Sequence, residues 1–190
     1  MTNLLACRRA GLLLFLALCD PAVADNLLLN GGFETNGASW GKFGNADFVD
    51  WAAETGKFGA AFQGWIWNGA GGFFQSARGA AGQSYTFSVR VRKEQLFQAS
   101  SVYIKLEFYQ QDDATKAGHD QGFLNIASSL TTTWQTVTIA GKAPLGTAFV
   151  RPVMGFEGAT TGDLNSGKQA CFLDNAQLLV AEDGAPPEAP

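Results

Sequence analysis

Two carboxylates near opposite ends of the chain are the first residues whose types and positions suggest chemistry. Glu34 closes the stretch from Asn26 to Glu34, NLLLNGGFE, in which a short apolar run ends at a glycine turn. Asp174 lies within an apolar run from Cys171 to Val180 that has the pattern of a second strand. If these two ends of the domain pair, the carboxylates come close, and they repel each other unless a cation lies between them. The sequence therefore predicts a closed β domain with a metal site.

The first 24 residues have the pattern of an export signal. Arg8 and Arg9 precede a short apolar run, and Ala22-Val23-Ala24 supplies the small residues of a cleavage site. The apolar run is too short to span a bilayer as a helix. We therefore expect a signal peptide over 1–24 and a mature chain from Asp25 that is secreted, into the periplasm or outside the cell.

Two other export routes stay open as alternatives. Cys19 is a candidate for lipid attachment, although Leu18 before it is larger than the residue a lipoprotein signal has there. Arg8-Arg9 is a candidate twin-arginine signal, although Gly11 takes the place of a bulky apolar residue. Both patterns fit less well than ordinary secretion.

Charge and cysteine content restrict the class of function. The chain has 13 basic and 17 acidic residues, and Arg8, Arg9 and Asp20 belong to the signal, so 11 and 16 remain and the net charge is −5. Such a chain lacks the basic surface that nucleic acid or an anionic membrane requires. Cys171 is the only cysteine after the signal. No intramolecular disulfide is then possible, and packing, with or without a metal, must stabilise the fold.

Alternating residues give the clearest indication of secondary structure. Apolar and polar residues alternate from Ser84 to Lys93 and from Ser101 to Gln110, which predicts two strands with one buried and one polar face each. Shorter strand candidates are Phe48 to Trp51, Ala60 to Trp67, Phe73 to Ser76, Gly122 to Ile126, Trp134 to Ala140 and Ala148 to Glu157. Pro152 has no backbone N–H, which predicts a sheet edge or a bulge for the last of these.

About ten short strands without a helical period predict an all-β fold, a two-sheet antiparallel β-sandwich. We assign this domain to residues 25–181. The remaining residues, 182–190, form an acidic, proline-rich stretch that predicts a disordered tail or the start of a linker.

Several segments occur in the order found in one family of sugar-binding domains. They are NLLLNGGFE, TGKFGAAF, GGFFQ, AGQSYTFSVRVR, WQTVTI and FLDNAQLL. In this order they resemble the jelly-roll carbohydrate-binding modules found beside bacterial cellulases and xylanases, of the cellulase C type with a galactose-binding-like fold. The resemblance covers nearly all of the mature chain.

This resemblance implies a structural calcium ion. In the family the opening glutamate, the aspartate of the closing strand and backbone carbonyls bind it, which implies Glu34, Asp174 and the turn around Lys57 in this chain. Two carboxylates with several carbonyl oxygens suit a hard cation. The alternative is that Glu34 caps a turn and Asp174 bonds only to the backbone.

The resemblance also implies a glycan site on the polar concave face or at the loop edge. A sugar ring stacks its C–H face on an aromatic side chain, and its hydroxyls bond to polar side chains. The expected ligand-binding residues are Trp65, Trp67, Gln75, Arg90, Arg92, Tyr103, Lys105, Glu107, Tyr109 and Arg151. The alternative is that the tryptophans belong to the core and the charged residues form solvated ion pairs.

Arrangements for catalysis are weak in this sequence. His119 is the only histidine and lies in a polar loop, where histidines are usually solvated. Glu107 and Glu157 form a conceivable glycosidase pair, but nearby Arg90, Arg92 and Lys105 would keep both ionised, whereas a general acid needs a raised pKa. We therefore expect a non-catalytic module whose partner is a polysaccharide or glycan. A structural or adhesive surface protein that binds a partner protein is the alternative, and a small glycan-cleaving enzyme is the third hypothesis.

Overall fold

A computed structural model describes residues 25–118, 121–160 and 167–181. The expected signal peptide, the expected tail and His119 lie outside the described residues. The described part folds into two antiparallel sheets that pack face to face. The predicted all-β, two-sheet antiparallel sandwich is confirmed.

Eleven strands are present in the described residues, in two sheets. Sheet A has the order β1-β4-β10-β7-β8, with β5 also beside β10, and sheet B has the order β2-β3-β11-β6-β9. The strands are β1 Gly41–Gly44, β2 Ala46–Val49, β3 Gly59–Gln63, β4 Gly71–Phe74, β5 Ala77–Arg78, β6 Ser84–Lys93, β7 Ala99–Tyr109, β8 Gln121–Asn125, β9 Gln135–Lys142, β10 Phe149–Ala159 and β11 Ala170–Val180. Between the strands, the described residues include a short turn, α1, Glu34–Gly37, whose Thr35 and Asn36 have positive φ, and a 3-10 turn, Asp50–Ala52.

The core fills the space between the sheets with alternate residues of the long strands. Phe87, Leu106 and Leu173 are fully buried there. Aromatic rings continue the core toward the short strands, with the Phe62 ring 4.9 Å from Phe156 and 5.7 Å from Phe73. The opposite faces of both sheets are therefore available for other contacts.

The opening segment lies along the end of β11, as the sequence predicted, but it is not a strand of either sheet. The Leu27 N–H donates to the Leu178 carbonyl over 2.9 Å, and the Ala176 N–H donates to the Gly31 carbonyl over 2.8 Å. The Asn26 side chain donates to the Ala176 carbonyl and accepts from the Leu178 N–H. The two ends of the described domain therefore meet.

The strand that contains Pro152 is central in sheet A and pairs with β7 through Pro152 without a register shift, so the prediction of an edge or a bulge was wrong. β10 pairs with β7 on one side along most of its length. On its other side, pairing with β4 stops at Val153 and pairing with β5 starts at Val150. The interruption falls opposite Arg151 and Pro152. Pro152 has no N–H to donate, and the neighbouring pairing is interrupted between β4 and β5 at this point. A central strand therefore tolerates the proline.

Gly31 and Gly32 provide a test of how the chain ends meet. A Cβ atom at Gly31 would overlap the carbonyl oxygen of Ala176, which belongs to the backbone of β11, whereas the nearest atoms to a Cβ at Gly32 lie at 3.9 Å. We expect Gly31→Ala to lower the free energy of unfolding by about 2–3 kcal/mol, as overpacking does. Gly32→Ala, in the presence of a chelator, should change it by less than about 0.5 kcal/mol.

Urea unfolding of both variants in chelator measures this difference. Equal stability of the two variants would contradict the contact between the opening segment and β11.

Candidate functional site

Four aromatic side chains cover the outer face of sheet A. They come from β1, β4, β7 and β8, and are Phe43, Phe74, Tyr103 and Phe123. We call these four residues the aromatic platform. Adjacent strands lie about 4.8 Å apart, so the platform extends roughly 19 Å across the five strands from β1 to β8.

Three of these rings lie over glycines that face them directly across the strand pairing. A Cβ atom at Gly155 would meet the Tyr103 ring, with the nearest ring atom at 2.5 Å. The same relation holds for Gly72 with Phe43 and for Gly41 with Phe74. Because glycine has no side chain, the rings can lie down on the sheet. The result is an apolar ring surface, in which the Phe43 and Phe74 rings are inclined by 37° and the Tyr103 and Phe123 rings by 29°.

The two outer rings of the platform are the accessible ones. Phe123 is 60% exposed and Phe43 is 41% exposed, whereas Tyr103 is buried beneath its neighbour. The Phe123 and Tyr103 rings are stacked with centroids 5.3 Å apart. Phe123 and Phe43 therefore each offer an open ring face at opposite ends of the platform.

A polar network lies next to the platform and centres on Glu107. Its carboxylate accepts from Lys105 over 2.7 Å, from Lys116 over 3.3 Å and from the Tyr109 hydroxyl over 2.8 Å. Burial would raise the pKa of Glu107, but the Lys105 ammonium, the Tyr109 hydroxyl and the charge of Lys116 more than offset it, and the pKa lies below its usual range. Glu107 is therefore a carboxylate, not an acid, near neutral pH.

Arg151 connects this network to the platform. Its guanidinium lies over the Tyr109 ring at 4.1 Å and over the Phe74 ring at 5.2 Å. The same group donates to the Ser76 hydroxyl over 2.8 Å and to the carboxylate of Asp113 over 3.1 Å. Arg151 is thus held rigidly, with a planar donor group beside apolar rings.

The tyrosine hydroxyls of this face remain protonated. Burial raises the pKa of Tyr109, and its hydrogen bond to Glu107 raises it further. Burial, together with the charges of Glu157 and Glu107, also raises the pKa of Tyr103. The face therefore combines aromatic rings, hydroxyl donors, carboxylates and fixed cations. Such a surface can stack a ring that has apolar faces and can bond to hydroxyls around its rim.

A second cluster lies where the chain ends meet, and it contains the two carboxylates predicted to hold a metal. The turn of residues 54–58, between β2 and β3, donates backbone N–H groups to both carboxylates. Residues 54 and 55 donate to Asp174 over 2.8 and 3.0 Å, and residues 57 and 58 donate to Glu34 over 2.9 and 3.3 Å. Asp174 is fully buried, and burial raises its pKa although these N–H groups oppose the shift. Lys57 takes part through its N–H, on the turn where a carbonyl ligand was expected.

Two side-chain oxygens face the space over Gly32. A Cβ placed on Gly32 would lie 3.9 Å from Asp174 Oδ1, 3.9 Å from Asn175 Oδ1 and 3.9 Å from the carbon Cγ of Glu34. No group of three or more His, Cys, Asp or Glu side chains suited to a metal occurs among the described residues. A cation here would use two carboxylates, the Asn175 amide oxygen and backbone carbonyls. An all-oxygen donor set of this kind fits calcium.

Glu54 holds the donating turn against sheet B. Its carboxylate accepts from Arg90 Nε over 2.8 Å and forms an ion pair with Arg90 Nη2. The hydrogen bond from Arg90 lowers the pKa of Glu54, so the pair is ionised at neutral pH. Arg90 was predicted to bind ligand, but its contacts show that it fixes the turn that bonds to Glu34 and Asp174.

The other predicted ligand-binding residues do not all share one face. Tyr103, Lys105, Glu107, Tyr109 and Arg151 lie together on sheet A. Arg90 and Arg92 lie on the outer face of sheet B, because their strand β6 belongs to sheet B whereas β7, which carries the tyrosines, belongs to sheet A. Trp65 packs against the same outer face of sheet B. The prediction that Arg90 and Arg92 share a polar face with the tyrosines was wrong.

Gln75 and Trp67 lie elsewhere again. The Gln75 side chain is buried and makes two hydrogen bonds to the backbone of Leu29, so it anchors the opening segment. Trp67 is 72% exposed in the loop between β3 and β4. Within the described residues, neither Gln75 nor Trp67 has a ring contact or a side-chain hydrogen bond with the four platform residues.

The carboxylates considered for glycoside cleavage do not form a pair. Glu107 lies opposite Arg151 on β10, and Glu157 is six residues further along that strand, roughly 20 Å away. Glycosidase carboxylates lie about 5–10 Å apart. Lys105 and Lys116, not Arg90 and Arg92, keep Glu107 ionised. Cys171 is fully buried, and burial raises the pKa of its thiol, so it is unreactive.

Sequence reasoning missed three members of the platform: Phe43, Phe74 and Phe123. Two of them come from four-residue strands, GKFG and GGFF, which are too short for a reliable alternation. The glycines beside the phenylalanines in these segments could have indicated the platform, because a glycine within a strand often marks a place where another group approaches the backbone closely. Asn175, with its positive φ of 50°, and Glu54 were also missed at the cluster of carboxylates.

Comparisons with known proteins identify the fold but not a family. No protein-family model and no curated protein matches this chain. Solved structures do match. A family 16 carbohydrate-binding module has a TM-score of 0.60 at 18% identity, over 81% of this chain and 99% of its own. A module called TmCBM61, solved with β-1,4-galactotriose, has a TM-score of 0.56 at 19% identity, over 83% and 100%.

The enzymatically active domain of tailspike protein 4 from bacteriophage CBA120 also matches, with a TM-score of 0.63 at 10% identity. The match covers 82% of this chain but spans only 21% of the tailspike structure. At these identities the likeness concerns the fold alone. The chain has the β-sandwich fold of carbohydrate-binding modules. Among the described residues, no helix is long and apolar enough to cross a membrane.

The buried carboxylate of Glu107 predicts a pH-dependent contribution to stability. Its pKa is lower in the folded chain than in the unfolded chain, so it stabilises the fold above roughly pH 4 and loses this effect as the pH falls through the folded value. We expect Glu107→Gln to cost about 2 kcal/mol near neutral pH, because Lys105 and Lys116 lose a shared partner. The difference from wild type should shrink toward pH 3.

Urea unfolding at several pH values measures this effect. Glu157→Gln is the matched control, because Glu157 is exposed and lies on the same face. A constant difference between wild type and Glu107→Gln across the pH range would refute the ionised network.

Proposed function

We propose that this protein is a secreted, non-catalytic carbohydrate-binding module of the cellulase C type that binds a poly- or oligosaccharide across the outer face of sheet A. The observation that carries the proposal is the aromatic platform, three of whose rings lie over glycines, beside a fixed network of hydrogen-bonding groups. A chain of pyranose rings has apolar faces and hydroxyl rims, which match these two components. The fold shared with carbohydrate-binding modules supports the proposal.

In this proposal Phe123 and Phe43 stack on sugar rings at the two ends of the platform. Arg151 and Lys105, beside the platform, donate to sugar hydroxyls, and Glu107 accepts. The length of the platform suits an oligosaccharide better than a single sugar. No chemical step is required of these residues, which agrees with the lowered pKa of Glu107 and its distance from Glu157.

We also propose that the cluster of Glu34, Asp174 and Asn175 binds a structural calcium ion. The support is the oxygen-lined space over Gly32 and the burial of Asp174, whose negative charge a cation would stabilise. The ion would fasten the opening segment, the turn of residues 54–58 and β11 together. It lies on the chain ends and not on the platform, so its role is stability.

Substitutions on the platform test sugar binding. Affinity electrophoresis with a panel of neutral polysaccharides that includes xylan and β-1,4-galactan identifies a ligand. Phe123→Ala and Phe43→Ala should then each weaken binding about tenfold, the effect of losing roughly 1.4 kcal/mol of stacking. Leu145→Ala is the control, since Leu145 is a 94% exposed apolar residue in the loop before β10.

Wild-type affinity in both platform variants would contradict sugar binding at this face. If no polysaccharide in the panel binds, the exposed rings fit the alternative of a structural or adhesive protein better, and binding to a partner protein becomes the hypothesis to test.

Thermal melts test the calcium proposal. At a calcium concentration 100 times the dissociation constant the wild type should gain about 2.7 kcal/mol over chelator, or roughly 5–10 °C in midpoint. Glu34→Gln and Asp174→Asn should lose this gain. Gly32→Ala should also lose it while keeping its stability in chelator, because the added methyl group occupies the oxygen-lined space.

Glu157→Gln serves again as the control and should keep the full calcium effect. An unchanged wild-type midpoint, or a calcium effect that survives in Asp174→Asn, would rule out the site.

A further inference from the structure

The outer face of sheet B carries a second aromatic cluster, on the side of the sandwich away from the platform. Its members are Trp51, Trp65, Trp134 and Phe172. Phe172 is buried at the centre, and the Trp51 ring lies against it edge-on at 5.6 Å. Trp51 is 51% exposed. A tryptophan with half of its surface in water and its edge fixed by packing is a rigid stacking surface.

Arg92 lies beside the same phenylalanine. Its guanidinium is 4.3 Å from the centre of the Phe172 ring and 5.3 Å from the centre of the Trp134 ring. Its Nε is buried and has no hydrogen-bond acceptor in the part of the chain that the structure describes. The neighbouring Arg90, in contrast, is paired with Glu54. Arg92 is therefore positioned by rings and not by an anion.

An open cavity of about 420 Å³ adjoins Arg92 and has an excess of positive charge. It is lined by Arg92, Lys93, Glu94, Gln95, Thr132 and Lys168. The Glu94 carboxylate already accepts from the Ala170 N–H over 2.8 Å. Within the described ranges, neither Lys93 nor Lys168 forms an ion pair. Three cations and one engaged carboxylate thus surround this cavity, in a mature chain whose net charge is −5.

We propose that this end of sheet B is a second binding site, and that its ligand is an acidic polysaccharide built of uronic acid residues. Such a polymer presents in every residue the two groups that this surface matches. The C–H face of a pyranose ring fits Trp51, and the ring carboxylate fits the guanidinium of Arg92 and the ammonium groups of Lys93 and Lys168. A neutral glycan would leave these cations without a partner.

The test measures binding of polygalacturonate to the protein by affinity electrophoresis, with neutral β-1,4-galactan and polyglutamate as comparison polymers. Arg92→Gln and Lys168→Gln should each weaken polygalacturonate binding about tenfold, as the loss of a charge-assisted contact does. Binding should also weaken in high salt. Arg78→Gln is the matched control, since Arg78 also lies over a phenylalanine ring, Phe149, at 4.4 Å, but is exposed and away from the cavity.

A thermal melt of each variant checks its folding. If Arg92→Gln is unfolded, Lys168→Gln and Trp51→Ala decide, because both side chains are exposed. Polygalacturonate binding that is unchanged in the folded variants, or absent in wild type, overturns the proposal. Polyglutamate binding of equal strength and equal dependence on Arg92 also overturns it, because the site would then recognise acidic chains without regard to sugar.

Phe123→Ala separates this inference from the proposed function. It should leave polygalacturonate binding unchanged while it weakens neutral-glycan binding. If Phe123→Ala weakens both and Arg92→Gln weakens neither, the second site is refuted and the platform on sheet A remains.

Discussion

The register between β7 and β10 positions the side chains on the outer face of sheet A. It places Gly155 opposite Tyr103 and Arg151 opposite Glu107, so a ring lies on a bare strand and a cation lies near a carboxylate. A shift of one residue would turn these side chains into the core and bring Ile104 and Met154 to the surface. Burial of the alternate apolar residues of both strands therefore also determines the arrangement of the polar face.

The two outer faces of the sandwich use aromatic residues differently. On sheet A, glycines allow the rings to lie down, and the neighbouring charges are engaged with one another through Glu107 and Asp113. On sheet B, the rings pack edge to face around Phe172, and the arginine among them has no acidic partner in the described chain. An aromatic surface whose neighbouring charges are paired suits neutral sugars, whereas an aromatic surface beside cations that lack an acidic partner among the described residues suits an anion.

Closure of the domain depends on a short irregular stretch of β11. The pairing of β11 with β6 shifts register between Asp174 and Gln177, and Asn175 takes a left-handed conformation there. This irregularity directs Asp174 toward the turn of residues 54–58, where it accepts from the backbone N–H groups of residues 54 and 55. The same turn satisfies Glu34, so one loop joins the beginning and the end of the domain. A cation in this position would add to a connection that hydrogen bonds already make.

The sequence by itself determined the long strands, the all-β class and the meeting of the chain ends. Alternation is a local property, so Ser84–Lys93 was located to the residue and the other long strands to within a few residues. The carboxylates at 34 and 174 followed from the pairing of apolar runs at both ends.

Only the tertiary structure decided which sheet each strand joins. β6 and β7 are consecutive and have the same pattern, yet they lie in opposite sheets, which separates Arg92 from Tyr103. Alternation shows that one face of a strand is buried, but the direction of that face depends on partners distant in the chain. The same reason explains why the position of Pro152 and the aromatic platform were not predicted. Pro152 is tolerated because the neighbouring strand is interrupted, and the platform forms because rings lie over glycines of the next strand. Both depend on contacts between strands, which the sequence of one segment does not show.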